Sequence, residues 1–130
     1  MINIILCIIS YDIWFYISHI LLHKNAYLKN IHKIHHEVNY ENMIYLDAYL
    51  GHYFESPFQS IGAVIPILFI TIHFYEFILV VFFLNVRGLI RHDHRLIWLY
   101  GNHHILHHKY SNCNYGEYWM DYIFNTLEEK

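Results

Sequence analysis

The sequence predicts an all-α fold: an integral membrane helical bundle that carries a cytosolic, histidine-rich helical cap. Three observations predict it. Two apolar stretches, 2–22 and 57–86, are long enough to enter a bilayer as helices. Hydrophobic residues make up 56% of the chain and charged residues 15%, against about 45–50% and about 25% in ordinary soluble domains. Thirteen histidines recur at helical spacings beside those stretches. At 130 residues the chain reads as one domain, 1–130.

The first stretch, "INIILCIISYDIWFYISHILL", matches the length a helix needs to cross a ~30 Å hydrocarbon core. It lacks the basic start and small-residue cleavage site of a signal peptide. Asp12 lies near its middle, and an ionisable group inside such a segment is a functional-site hypothesis by default. Asp12, Tyr16, His19 and His23 fall at i, i+4, i+7 and i+11, so one helical face carries all four. Residues 24–56 are polar, and Lys24, Lys29 and Lys33 cluster there as on a cytoplasmic face. The second stretch would overshoot a bilayer as a single helix, so it is expected to be a hairpin, bent near Gly62 or Pro66. His73 and Glu76 then make a polar spot near its centre, and Arg87, Arg91 and Arg95 mark the return to the cytoplasmic face. A single long tilted helix is the alternative; it would part the two histidine-rich segments. The metal-binding segments are expected at 19–36 and 92–108.

Several classes are excluded. A net charge of −3 leaves no basic footprint for nucleic acid. Cys7 and Cys113 form neither a CxxC pair nor a disulfide framework. There is no HExxH, GxSxG, P-loop or GxGxxG. The paired ExxH motifs of ferritin-like bundles are also missing.

The histidines remain. "HILLH" places His19 and His23 one turn apart, with Cβ atoms about 5–6 Å from each other. "HKIHH" sets His32 against His35 and His36, and "HILHH" repeats the geometry with His104, His107 and His108. At this chain's histidine frequency, His-x-x-His-His should arise only about 0.1 times by chance. Imidazole suits Fe, Zn, Cu and Ni, and eight such ligands exceed what one ion needs, so a dinuclear, all-histidine centre is expected. His52 and His73 are read as packing or polar-satisfaction residues, and His103 as a group behind the ligands.

These residues resemble a known family. "DIWFYISHILLHKNAYLKNIHKIHH" (12–36) and "GNHHILHHKYSNCNYGEYWMDYIFNT" (101–126) are similar to the opening and closing signatures of the fatty acid hydroxylase/sterol desaturase superfamily, and "GHYFESP" (51–57) resembles its Glu-bearing loop. Two departures stand out: Ile20 follows His19 where Arg is usual, and the middle motif is compressed. Most members also carry membrane helices upstream of this signature that this sequence does not contain. The resemblance implies that His19, His23, His32, His35, His36, His104, His107 and His108 are metal ligands. It also implies one from "RHDHR", where His92 is favoured over His94. Asp12 and Tyr16 would orient the cluster, and Asn85 lies seven residues before His92 on the same helical face. The implied activity is O2-dependent hydroxylation of a lipid C–H bond at two Fe ions, with Zn as another occupant. Desaturation at the same centre and a non-catalytic metal-binding remnant are the alternatives. Electrons would come from cytochrome b5 and its reductase. The protein would be multi-pass, in an endoplasmic-reticulum-type membrane if eukaryotic, with the site facing the cytosol.

Overall fold

Apolar residues run almost without interruption from Ile2 to Leu22. In the computed structural model, which describes residues 1–129, they form helix α1, Ile2–Lys24. Six further α-helices follow among the described residues: α2 Leu28–His32, α3 Glu55–Val64, α4 Phe74–Arg91, α5 Ile97–Tyr100, α6 His103–Tyr110 and α7 Tyr118–Ile123. No strand occurs among them, so the fold is all-α.

Helix α1 is about 34 Å long at ~1.5 Å per residue and is the one described helix long and apolar enough to cross a membrane. One stripe of it, Ile2, Ile5, Leu6, Ile9, Ile13, Ile17 and Leu21, is exposed. The opposite face buries Cys7, Asp12, Phe15, Tyr16, Ser18, His19 and Leu22. Helix α3 lies against α1 so closely that a Cβ on Gly62 would stand 2.6 Å from Trp14 Cβ and 2.8 Å from Tyr11 Cα. Pro66 has no N–H to give the Gly62 carbonyl one turn back, and Ser10 Oγ donates to it instead at 2.7 Å.

The second apolar stretch is a helical hairpin whose limits and bend differ from those expected. Its arms are α3 with a following 3-10 turn, Ile65–Leu68, and α4; the reversal falls at 69–73. Gly62 is a packing point and not a bend. Pro66 closes α3 into the 3-10 turn. His73 and Glu76 lie near the centre of the stretch as expected, and that centre is the reversal. There Glu76 Oε2 accepts from the His73 backbone N–H at 3.1 Å and from Asn3 Nδ2 at 3.0 Å, which ties the tip to the start of α1. Eighteen residues later, α4 has brought Arg91 over the Phe15 ring, 4.4 Å from its centroid. His92 is thereby delivered to the end of α1 that carries His19 and His23.

The arginines also depart from expectation. Arg87 and Arg91 are each only 8% exposed and are not a surface charge ring. Arg87 pairs with Asp12 at 2.5 Å and with Glu117 at 3.3 Å, and Arg91 pairs with Glu117 at 3.1 Å. A carboxylate inside an apolar helix is costly unless paired, and these four alternating charges neutralise one another. Arg95 alone is exposed, and it grips Asp93.

Candidate metal centre

The site is built from four segments that meet where α1 ends and the hairpin returns. Helix α1 gives His19 and His23; α2 and the 3-10 turn after it give His32, His35 and His36; the residue after α4 is His92; α6 gives His104, His107 and His108. These nine fall into two groups, within each of which the ligand atoms lie within 4.8 Å of one another. His19, His23, His32, His36 and His107 form the first, and His35, His92, His104 and His108 the second. The groups adjoin, with the His36 and His108 ring centroids 4.6 Å apart.

Each His-x-x-His-His motif is therefore shared between the groups and does not converge on one ion. Its first and last histidines, one turn apart, serve one group, and the middle one serves the other. Helix α2 ends at His32 and the 3-10 turn presents His35 and His36, whereas His104, His107 and His108 all lie on α6, so the same division also arises on a continuous helix.

Hydrogen bonds fix the tautomers. Nδ1 of His19 donates to the Tyr115 carbonyl at 2.5 Å, that of His35 to Leu50 at 2.6 Å, that of His92 to Gly88 at 2.7 Å and that of His107 to Cys113 at 2.6 Å. His32 Nδ1 donates to Glu55 Oε2 at 2.6 Å. A neutral imidazole carries one N–H, so each of these rings has a bare lone pair at Nε2. Those lone pairs point at each other: His19 to His32 at 3.0 Å, and His35 to His92 at 3.3 Å. His104 Nε2 stands 3.0 Å from His92 Nε2, and both ring nitrogens of His108 are buried without a partner.

Protonation does not relieve the clash. Burial holds His32 down to about 3 and His36 to about 2. His92, His104, His107 and His108 are likewise pushed well below the usual histidine range, first by burial and then by their neighbours. Lone pairs that converge in a buried space, each backed by a carbonyl or carboxylate on the far ring nitrogen, suit a cation. The donor set fits metal ions.

The other predicted residues lie around this core. Asp12 binds Arg87 and accepts from Trp119 Nε1 at 3.4 Å, and Tyr16 hydrogen-bonds Thr126 at 3.0 Å. Neither hydrogen-bonds a histidine; both hold residues 115–126 against α1, and that segment supplies the Tyr115 carbonyl to His19. A Cβ on Gly116 would come 2.9 Å from Tyr16 Cδ2, so the approach requires glycine there. Ser111 and Asn114 adopt left-handed backbone after α6 and turn the chain back, which aims the Cys113 carbonyl at His107. Asn85 donates to Val81 O on its own helix at 2.8 Å and faces a cavity of about 280 Å³. That cavity has Phe15, Ala63, Phe77, Val81 and Leu84 among its apolar walls and reaches His19, His32, His35, His92 and His104.

His94 bonds the Tyr40 carbonyl, and His52 Nδ1 accepts from Phe54 N at 3.2 Å. His73 caps α4 far from the cluster, and His103 binds the buried Asp121 at 3.0 Å. None of the four belongs to either group. Sequence reasoning assigned no site role to Glu55, Arg87, Arg91 or Glu117. One signal was available: an aspartate inside an apolar span demands a buried cation, and Arg87 is the first arginine in the chain.

Comparison with known proteins agrees with this geometry. The pattern of the family described as fatty acid hydroxylase matches residues 4–126. The chain is similar to Delta(7)-sterol-C5(6)-desaturase of Nicotiana tabacum, at 31% identity over 97% of this chain and 49% of the relative. It is also similar to cholesterol 25-hydroxylase of Homo sapiens, at 29% identity over 96% of this chain and 51% of the relative. The chain thus spans about half the length of these relatives. No solved structure matches. A family pattern that runs through all four histidine-bearing segments, on a fold that gathers them, shows that the chain belongs to the fatty acid hydroxylase family.

Proposed function

We propose that the chain is the metal-binding, catalytic segment of a multi-pass membrane hydroxylase that uses O2 to oxidise a lipid C–H bond, in a fatty acid, sterol or related molecule. The observation that carries this is the convergence of bare Nε2 lone pairs in two adjoining groups. Five imidazoles in the first group exceed the four ligands of a structural zinc ion, which favours iron among the metals that imidazole suits. When bound, two iron ions supply the reduction of O2 and the oxidation of the C–H bond.

The rest is the work of this chain. Glu55 and the carbonyls of Leu50, Gly88, Cys113 and Tyr115 hold the ring orientations. The cavity, walled in part by Phe15, Ala63, Phe77, Val81 and Leu84, admits a hydrocarbon segment beside His19, His35 and His92. The Asp12–Arg87–Glu117–Arg91 network fixes α1, α4 and the C-terminal segment around that cavity.

Hydroxylation consumes two electrons and two protons, and the sequence has no flavin or nicotinamide motif, so the electrons come from an external donor such as cytochrome b5 with its reductase. Lys24, Lys29 and Lys33 lie at the histidine end of α1, which supports by the positive-inside rule the reading that this end faces the cytosol, at the endoplasmic reticulum in a eukaryotic cell. The relatives are named one as a desaturase and one as a hydroxylase; product analysis separates the two outcomes on the same centre. Expression with a reductase chain, followed by lipid mass spectrometry, should reveal a hydroxylated lipid. A new double bond would select desaturation. No oxidised lipid, with zinc that iron does not replace, would contradict the enzyme reading.

A further inference from the structure

Helix α7 has two unlike faces. Met120 and Asp121 are 3% and 0% exposed, while Trp119, Tyr122, Ile123 and the following Phe124 are 40%, 68%, 58% and 55% exposed. Asp121 is the only charge between Tyr118 and Phe124. It is turned inward, where it accepts from the backbone N–H groups of Tyr115 and Gly116 and from Thr126 Oγ1. The outward face is aromatic, apolar and uncharged.

The level of this face on α1 identifies what covers it. Trp119 Nε1 donates to Asp12 at 3.4 Å, and the Phe124 ring stacks on Tyr16 with centroids 5.1 Å apart. Asp12 and Tyr16 precede Lys24 by twelve and eight residues, about 18 and 12 Å along the helix axis. Asp12 is likewise about 15 Å from Ile2. A ~30 Å hydrocarbon core crossed by α1 therefore contains the level at which α7 packs. The exposed Ile9, Ile13 and Ile17 of α1 occupy the same levels.

We propose that α7 is immersed in the bilayer beside the C-terminal half of α1, with the face formed by Trp119, Tyr122, Ile123 and Phe124 covered by lipid. This rests on the membrane reading of α1. The C-terminal segment is then an inserted collar and not part of an aqueous cap. Lipid holds in place the segment whose Tyr115 and Cys113 carbonyls orient His19 and His107.

The test uses two single-tryptophan proteins in phosphatidylcholine vesicles, with acyl chains either brominated or unmodified. One keeps Trp119 (Trp14→Phe, Trp98→Phe), and the other keeps Trp14 in α1 as the reporter of the span (Trp98→Phe, Trp119→Phe). The ratio of emission in the two lipids is read, which cancels any constant quenching by bound metal. Trp119 should lose emission to brominated chains, as Trp14 does, and resist aqueous iodide. Quenching of Trp14 without Trp119 overturns the proposal and leaves the span standing; quenching of neither overturns both. A nitroxide at Tyr122→Cys, a fully native-packed alternative given its exposure, should relax with O2 more than with a water-soluble nickel complex. The reverse order contradicts lipid coverage.

Discussion

Glu55→Gln isolates the support of one ring. Glu55 is 6% exposed, and its Oε2 takes the Nδ1–H of His32 at 2.6 Å, while Oε1 accepts from the His52 backbone N–H at 3.3 Å. Glutamine keeps the volume and can keep one acceptor, but it removes the negative charge that makes the bond short and His32 a stronger donor to metal. Loss of such a partner lowers metal affinity ~10–100-fold, or about 1.4–2.7 kcal/mol. His32 Nε2 lies 3.0 Å from His19 Nε2 and 3.2 Å from His36 Nε2, so the loss belongs to the five-histidine group. The assay is chelator competition on purified protein, with the two metal equivalents resolved. One equivalent should weaken by that factor and the other change little. Unchanged affinity, or equal weakening of both, would refute the role given to Glu55 and the division into two groups.

Three further outcomes follow from the geometry. Arg87→Leu leaves the buried Asp12 without its cation, while Glu117 keeps Arg91, which should cost about 3–5 kcal/mol in detergent thermal unfolding; a loss below about 1 kcal/mol would contradict the network. Gly62→Ala drives a methyl group into Trp14 and Tyr11, and overpacking of this kind costs ~1–3 kcal/mol; unchanged stability would mean that α3 does not press on α1. Acidification should release metal and destabilise the apo-protein together. The cluster histidines titrate far below 6.5 when folded and near 6.5 when unfolded, so the unfolded chain binds more protons as pH falls below about 6.5 and stability declines in that direction. Metal retention that stays flat from neutral pH to about pH 4 would contradict histidine ligation.

The sequence made the main helix and the histidine cluster legible because both write themselves as patterns. A mostly apolar run of twenty-one residues predicted a helix at 2–22, and α1 runs two residues further. The spacing of the histidines singled out eight of them and the family resemblance added His92, and the fold gathers these nine into two groups. The division of each motif between groups was not legible, since it depends on how the four segments meet and not on spacing along one helix. The carbonyls of Leu50, Gly88, Cys113 and Tyr115 were invisible for a simpler reason: every residue has one, and only the tertiary fold aims it. Arg87 and Arg91 were read only as marking the return to the cytoplasmic face, because the positive-inside rule counts cations and not their partners. Those partners, Asp12 and Glu117, lie up to 75 residues away.

The central claim is that the nine histidines form one dinuclear cage. It is tested most directly by elemental analysis joined to Mössbauer spectroscopy on iron-loaded protein, wild type and with His104→Ala or His107→Ala. The account predicts two irons per chain in the wild type, one for each of the two adjoining histidine groups. It predicts loss of one iron with either variant. One iron per chain in the wild type, or two retained when His104 and His107 are removed together, would contradict it.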